Sequence, residues 1–368
     1  MREFSGKVGL IQRVLPHYRK PFFDALGKAC LGGLSVFAGQ PKPGESIKSA
    51  EDLEYAQLSK GKNLHILRGS LYLCLQPGLM DWLRSWNPDV LIVEANPRYL
   101  TTPSAIGWMH ERNRPVIGWG LGAPKISGAF SSIRETRREK FISQFDGLIA
   151  YSQKGAEEYA NLGFPQDKIY VAPNAVTPPP PHPIPHRPIP KGNQPLRVLF
   201  VGRLQERKNL DNLISACSHM PEQLQPELVI VGDGPDRNRL EKIAQDLYPK
   251  TEFTGALYGN ELDEQFREAD IFVLPGTGGL AIQQAMSYGL PVIAAQADGT
   301  QEDLIRKENG WQIPANNLPA LESTLRKALE NKSGLREMGK ESYRIVAEEI
   351  NLNQMVNIFV EALDRSLS

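Results

Sequence analysis

The segment RVLFVGRLQERKNL, Arg197–Leu210, passes from a continuous apolar run through a glycine to basic residues and the start of an amphipathic stretch. Continuous rather than alternating apolar character is typical of a parallel strand that helices cover on both faces. The segment therefore predicts a strand over Arg197–Val201, then a turn, then a helix from about Leu210 to His219.

The same order of strand, turn and helix repeats towards the C-terminus, which indicates an α/β unit with a parallel sheet. The tail, Leu321–Leu367, is predicted to be helical with a break near Asn351. Further strands are predicted over Leu228–Val231, Thr251–Thr254, Ile271–Leu274 and Val292–Ala295, and helices over Arg237–Leu247, Leu262–Ala269 and Gly279–Tyr288.

A second α/β pattern, less regular than the first, occupies the N-terminal half of the chain. The amphipathic stretch Pro21–Ala29 predicts a helix between the first two strands. The predicted strands are Val8–Ile11, Leu34–Ala38, Asp89–Glu94, Val116–Trp119 and Gly147–Tyr151. The fold class is therefore α/β, with two Rossmann-like, doubly wound parallel sheets.

A proline-dense run, TPPPPHPIPHRPIPKGNQP at Thr177–Pro195, separates the two halves. It has neither a helical nor a strand period, and it favours a stiff, extended linker over a surface loop inside one domain. We expect an N-terminal domain over 1–176, a linker over 177–195, a second domain over 196–350 and a C-terminal helix over 351–368 that returns to the first domain. Two such domains would face a cleft at the carboxyl ends of their strands, where open α/β sheets bind ligands.

Composition narrows the class of protein. Lys plus Arg and Asp plus Glu each total 42, so the zero net charge argues against nucleic acid as a partner. The three cysteines are far apart in the sequence, which indicates a reducing compartment and no zinc site. The opening MREFSGKVGLIQRV lacks the apolar core of a signal peptide, and no apolar run reaches the roughly 18 residues of a membrane span. We therefore expect a cytoplasmic protein.

The turn after Arg197–Val201 carries the strongest chemical signal. Arg203 follows the strand directly, and Lys208 comes five residues later, near the start of a helix. A turn of this kind can place both cations at the rim of the sheet, where they would neutralise a diphosphate together with the amides of a helix end. A solvated basic turn fits the same pattern.

The run from Val198 to Trp311 resembles the family-4, or group 1, retaining glycosyltransferases of the GT-B fold that build polysaccharides. The N-terminal half resembles the same family more loosely, at LPHYRKPFFDAL (Leu15–Leu26) and at PNAV (Pro173–Val176). The matching motifs of the C-terminal half are VGRLQERKNL, IVGDGP, EFTGAL, ADIFVLPG, GLAIQQAMSYGLPVIA and NGWQIP.

The resemblance implies which residues bind the donor, a nucleotide diphosphate sugar. Arg203 and Lys208 match the cations that bind the donor phosphates and stabilise the leaving diphosphate, so both are candidate catalytic residues. The other candidate donor-binding residues are Gly202 and Gly232 at the sheet edge, the nucleobase turn Gly255, Ala256 and Leu257, and Gly279 and Leu280 at a helix N-terminus.

The sequence departs from the family at the usual Glu-x7-Glu pair. The two positions hold Gly276 and Gln284, and neither carries a carboxylate. Gln284 can still bond a ribose hydroxyl through its amide, whereas Gly276 offers only backbone groups. The sugar hydroxyls would then be bound by Thr277 or by amides of the Gly278-Gly279 turn.

A second departure lies in the N-terminal half, where Leu121 stands at a position that is histidine in many relatives. His17 is the candidate substitute and the third candidate catalytic residue, although a residue that merely begins a helix fits its position as well. The candidate acceptor-side residues are Tyr18, Arg19, Asn96, Arg98, Tyr99 and Trp119. For Asn96, Arg98 and Tyr99 the alternative is a capping turn, and for Trp119 the alternative is a place in the core.

Two basic and amphipathic stretches, Ser70–Trp86 and Ile133–Lys140, suggest peripheral contact with the inner face of a membrane. Amphipathic helices packed on an ordinary sheet fit the same pattern.

The resemblance predicts transfer of a hexose, with retention, to a glycan or lipid-linked glycan acceptor. UDP-glucose is the favoured donor and GDP-mannose the second, and no metal or other cofactor is expected. Two alternatives remain: a sugar-nucleotide-binding protein that has lost catalysis, and a sugar-nucleotide epimerase on the same fold.

Overall fold

The structure, a computed structural model, describes residues 2–42, 45, 47–67, 69, 72–125, 131–190, 192, 194–297 and 299–367. It divides the chain into two compact units, one comprising Met1–Val176 with Leu352–Ser368 and the other comprising Thr177–Asn351.

The first unit is built on a parallel sheet with the strand order β3-β2-β1-β6-β7-β8-β9. A short antiparallel pair, β4 with β5, lies outside it. The strands are β1 (Val8–Val14), β2 (Leu34–Gly39), β3 (Gln57–Lys60), β4 (Leu64–Ile66), β5 (Leu73–Leu75), β6 (Val90–Glu94), β7 (Val116–Gly120), β8 (Gly147–Ala150) and β9 (Ile169–Val171). The helices are α1 (Lys20–Ala29), α2 (Leu79–Trp86), α3 (Thr102–His110), α4 (Ser131–Ile142) and α5 (Gln153–Asn161).

The second unit is built on a parallel sheet with the order β12-β11-β10-β13-β14-β15. The strands are β10 (Arg197–Val201), β11 (Glu227–Val231), β12 (Thr251–Gly255), β13 (Ile271–Leu274), β14 (Val292–Ala295) and β15 (Gly310–Ile313). The helices are α6 (Leu210–Ser218), α7 (Arg237–Leu247), α8 (Gly259–Glu268), α9 (Leu280–Ser287), α10 (Thr300–Leu304), α11 (Leu318–Glu330) and α12 (Lys332–Arg344).

The last helix, α13 (Leu352–Leu367), belongs to the first unit and completes its core. Phe359 is fully buried, and its ring lies 4.9 Å from that of Phe22 on α1 and 5.0 Å from that of Trp119 on β7. Residues from the two ends of the chain therefore share one hydrophobic cluster.

Both sheets have a point at which the chain changes direction across the sheet. In the first unit this point lies between β1 and β6, and in the second it lies between β10 and β13. Loops that leave neighbouring strands in opposite directions open a crevice at the carboxyl edge, which is where doubly wound sheets bind ligands.

The proline-rich run, predicted to be a stiff, extended linker between the domains, belongs to the second unit. Arg187 donates hydrogen bonds to the carbonyl oxygens of Ala269 (2.8 Å), Phe266 (2.6 Å) and Tyr288 (2.5 Å). Proline cannot donate backbone hydrogen bonds to a neighbouring element, so a side chain fastens this run instead.

Of the two stretches predicted to touch a membrane, Ser70–Trp86 packs on the first sheet where the structure describes it, whereas Ile133–Lys140 on α4 is largely exposed; membrane contact stays a prediction. Ser70 and Leu71 lie outside the described residues, and α2 buries Leu79, Trp82 and Leu83 against the first sheet. Within the described ranges, none of the helices combines the length and the apolar character that a bilayer crossing requires.

Candidate functional site

Two loops meet at the carboxyl edge of the second sheet, on either side of the crevice between β10 and β13. The Thr277 N–H donates to the carbonyl oxygen of Arg207 (3.1 Å), and the Arg207 guanidinium donates to the Thr277 hydroxyl oxygen (2.9 Å). The Lys208 ammonium donates to the carbonyl oxygen of Thr277 (2.5 Å). The loop that carries the predicted cations is therefore fastened to the loop that begins α9.

Lys208 is a buried cation, with only 8% of its surface exposed. Burial, reinforced by the positive charge of Arg207, lowers the pKa of Lys208 to about 8. No carboxylate forms an ion pair with it among the described residues. An anion bound in the crevice would supply the missing negative charge.

Arg203 lies on the same loop and is exposed. In the part of the chain that the structure describes, its guanidinium makes no hydrogen bond or ion pair. The two predicted cations thus differ in exposure: the Lys208 side chain is buried and held by the Thr277 carbonyl, whereas the exposed Arg203 side chain is available to a ligand.

The glycines between β13 and α9 explain why this site lacks the usual first carboxylate. A Cβ atom on Gly276 would lie 2.3 Å from the Arg207 carbonyl oxygen and 2.6 Å from the Lys208 Cα. Gly278 has a φ of +140°, and a Cβ atom there would lie 2.4 Å from the Lys208 ammonium nitrogen. Both positions must be glycine for the two loops to pack closely.

Helix α9 presents its N-terminus at this edge. Gly279 precedes its first residue, Leu280, and Gln284 lies half-buried one turn further on. The first amides of a helix have no partner within it and carry partial positive charge. Thr277 is exposed beside them.

Gln301 on α10 belongs to this site although the sequence analysis did not single it out. It is 1% exposed and donates to the carbonyl oxygen of Gly278 (2.8 Å). Its side-chain oxygen has no partner among the described residues. Arg207 was missed as well, and its position next to Lys208 was the available signal.

The glycine turns after β10, β11 and β12 pack on one another. The Gly232 N–H donates to the carbonyl oxygen of Gly255 (2.8 Å), and a Cβ atom on Gly232 would lie 1.9 Å from the Gly202 oxygen. Close packing alone therefore requires a glycine at position 232. In the predicted nucleobase turn, Ala256 is exposed and Leu257 packs on the core of the second unit.

Among the candidate residues of the first unit, Arg19 packs against two aromatic side chains. Its guanidinium lies 5.2 Å from the ring centres of Trp119 and Tyr151 and donates to the Tyr151 hydroxyl (3.1 Å). Trp119 is 1% exposed, so the prediction that its ring stacks on a sugar is wrong, and the alternative of a core tryptophan is correct. Burial would lower the pKa of Arg19, but Tyr151 and Tyr18 outweigh it and raise that pKa.

His17 and Tyr18 precede α1 in a short 3-10 turn, and both are exposed. The His17 backbone N–H donates to the carbonyl oxygen of Lys48 (2.8 Å). This position matches a residue that begins a helix, and a role of the imidazole in catalysis stays a prediction.

Asn96, Arg98 and Tyr99 form a turn after β6. The Asn96 side-chain oxygen accepts a hydrogen bond from the Arg98 N–H (3.1 Å), and the backbone of Tyr99 forms an isolated parallel β-bridge with that of Cys74. Arg98 is exposed, whereas Tyr99 is buried. The contacts fit the alternative of a capping turn, and only Arg98 presents its side chain to solvent.

Glu94, the last residue of β6, is a polar residue at this edge that the sequence analysis did not select. It accepts the Arg13 N–H (3.3 Å), and burial raises the pKa of its carboxyl group. The signal was a carboxylate at the end of the otherwise apolar run VLIVE.

Comparison with known families and proteins agrees with these features. The family model described as "Glycosyl transferases group 1" matches residues 185–345. The GDP-mannose-dependent alpha-mannosyltransferase of Mycobacterium tuberculosis is 40% identical over 120 residues, which cover 32% of this chain and 30% of that protein. The putative colanic acid biosynthesis glycosyltransferase WcaL of Escherichia coli is 29% identical over 228 residues, covering 56% and 55%. The chain thus spans about half or less of these curated relatives.

Solved structures resemble the chain over nearly its full length. Anabaena HepE in complex with UDP superposes with a TM-score of 0.68 at 16% identity, covering 99% of this chain and 100% of that one. At this identity the likeness concerns the fold.

Proposed function

We propose that this chain, which has the GT-B fold and matches the group 1 glycosyl transferase model over residues 185–345, transfers a hexose, with retention, from a nucleotide diphosphate sugar. The proposed acceptor is a glycan or a lipid-linked glycan. One observation carries the proposal: the loop beside the N-terminus of α9 holds a buried lysine and an exposed arginine that form no ion pair with any residue the structure describes.

The proposed reaction requires that the negative charge of the leaving nucleotide be stabilised. Breaking the bond between the sugar and the diphosphate leaves negative charge on the departing nucleotide, and prearranged cations stabilise that charge in a dry site. We propose that Lys208 and Arg203 both stabilise the negative charge of the departing diphosphate, together with the amides of Leu280 and Ala281 at the helix end. Because these cations neutralise the diphosphate, the proposal needs no divalent metal.

UDP-glucose is the proposed donor and GDP-mannose the second choice. HepE was solved with UDP, and the name of the mycobacterial relative specifies GDP-mannose. We also propose a cytoplasmic enzyme, with peripheral contact to the inner face of a membrane when the acceptor is lipid-linked.

The test is nucleotide release from UDP-glucose, UDP-galactose, UDP-N-acetylglucosamine and GDP-mannose, with and without a mixture of glycan acceptors and in the presence of EDTA. We expect EDTA-resistant turnover of one donor, and Arg203→Ala and Lys208→Ala should each reduce it at least a hundredfold. Binding without turnover would instead indicate a protein that has lost catalysis. A changed sugar still attached to its nucleotide would indicate an epimerase.

A further inference from the structure

The crevice between β1 and β6 in the first unit holds a carboxylate that the described contacts do not balance. Glu94 ends β6 at the carboxyl edge, where its carboxylate accepts a hydrogen bond from the Arg13 backbone N–H at 3.3 Å. Arg13 itself is paired with Glu45 (2.9 Å). No cation forms an ion pair with Glu94 among the described residues, although Tyr99 lies within reach of its carboxyl group.

Two buried side chains beside Glu94 carry hydrogen-bond donors without partners. Trp119 pairs with Glu94 across β6 and β7, and Gln12 follows the pair Ile11↔Val93 across β1 and β6. Paired residues of a parallel sheet share a face, so Gln12 and Trp119 flank Glu94. The Gln12 amide nitrogen and the Trp119 indole nitrogen have no partner in the described part of the chain, and the two residues are 4% and 1% exposed.

Arg19 completes the group. It lies over Trp119 and Tyr151, close enough for its charge to act on Glu94. A guanidinium has five N–H donors, which is more than the two tyrosines beside it can accept. Glu94, Arg19 and Tyr151 are each half-buried, so part of each residue is exposed to solvent.

A carboxylate acceptor and a guanidinium with spare donors at one sheet edge match the polar groups of a sugar. A hydroxyl group both donates and accepts, so a carboxylate beside a guanidinium can bind two neighbouring hydroxyls at once. Although the Arg13 N–H and Tyr99 lie at its carboxyl group, a half-buried carboxylate that forms no ion pair with any described residue costs folding free energy.

We propose that Glu94 is an acceptor-binding residue, whose carboxylate accepts a hydrogen bond from one hydroxyl of the acceptor sugar while Arg19 donates to the next. This rests on the proposed function, because it places the acceptor of that reaction on the first unit. Glu94 thereby selects acceptors with two free neighbouring hydroxyls.

The test is saturation-transfer NMR of the full chain with the methyl α-glycosides of glucose, galactose and mannose as probes. We expect transfer to at least one glycoside, and a loss of its affinity of about tenfold in Glu94→Gln, since a hydrogen bond to a charged group is removed. Glu94→Asp, which withdraws the carboxylate by one methylene group, should weaken binding similarly. Asp89→Asn is the matched control, because Asp89 is half-buried just before the opposite end of β6.

Near-UV circular dichroism and the melting temperature of each variant report whether the first unit is folded. The proposal is overturned if no glycoside receives saturation from the wild type, or if a folded Glu94→Gln binds as well as the wild type. A separate titration with UDP tests the proposed function. A chain that binds the glycosides but not UDP would contradict the proposed function without contradicting the sugar site at Glu94.

Discussion

At the scale of single residues, the donor site depends on how the fold treats Lys208. Its ammonium group is buried against the carbonyl oxygen of Thr277, and burial together with Arg207 lowers its pKa to about 8. Without a bound anion, Lys208 therefore loses its proton at a lower pH than an ordinary lysine. A bound diphosphate favours the charged form and must raise that pKa, so binding and proton uptake are coupled.

The first prediction concerns pH. Between about pH 7 and 7.5 Lys208 is mostly charged and the terminal phosphate, with a pKa near 6, is mostly ionised, so UDP affinity should change little in this range. Above pH 8 affinity should fall by up to roughly tenfold per pH unit until the pKa of the complex is reached. Calorimetry at pH 8 in buffers of different ionisation enthalpy should show uptake of about half a proton. In Lys208→Met both effects should vanish, and a persisting pH dependence would assign it to another group.

The second prediction concerns the missing carboxylate. Gly276→Glu restores the residue type usual in relatives, yet its Cβ atom would lie 2.3 Å from the Arg207 carbonyl oxygen. We expect a loss of about 3 kcal/mol of unfolding free energy and weaker UDP binding, because the Lys208 loop must move. Gln284→Glu, at the half-buried second position, should stay within about 0.5 kcal/mol of the wild type. Urea titration measures both, and a Gly276→Glu chain of unchanged stability would refute the packing argument.

Sequence reasoning found Lys208 and Arg203 because charge at the end of a strand is visible in the sequence itself. It misjudged Trp119, because a strand-end tryptophan reads the same whether α13 covers it or not. Glu94 was missed although a carboxylate at the end of the run VLIVE is visible, because the sequence does not show that Arg13 pairs with Glu45 instead.

At the scale of elements, apolar runs predicted the inner strands well. Arg197–Val201 and Ile271–Leu274 were placed to the residue. Strands β3 and β9 were missed because they lie at the two edges of the first sheet. An edge strand has less surface to bury, and QLSK of β3 has no fully buried residue, so its apolar signal is weak.

The third prediction concerns the proline-rich run. Arg187→Ala removes three hydrogen bonds from a charged donor to backbone oxygens. We expect a loss of about 3 kcal/mol or more in the unfolding free energy of the second unit, measured by urea titration. His186→Ala is the matched control, because His186 is the exposed neighbour, and it should have little effect. Equal stability of both variants would mean that Arg187 does not fasten the run to the second unit.

At the scale of the whole molecule, the first unit is assembled from both ends of the chain. Phe359, Val360 and Leu363 of α13 are fully buried in the core that α1 and the first sheet supply. The second unit, by contrast, is one continuous segment.

The fourth prediction follows from this arrangement. Residues 177–351 expressed alone should fold cooperatively, whereas 1–176 alone should expose the apolar surface that α13 covers and bind a hydrophobic dye. Adding a peptide of residues 352–368 should restore near-UV circular dichroism. A fragment 1–176 that is fully folded without the peptide would contradict the role of α13.

The central claim is that two cations on one loop bind the diphosphate of an activated sugar. Titration calorimetry of UDP into the wild type and into Arg203→Ala/Lys208→Ala tests it most directly, with Arg326→Ala/Lys327→Ala on α11 as a control of equal charge change. The account predicts a loss of affinity of about a hundredfold or more in the first double variant and no change in the second. Unchanged affinity for UDP after both loop cations are removed would contradict it.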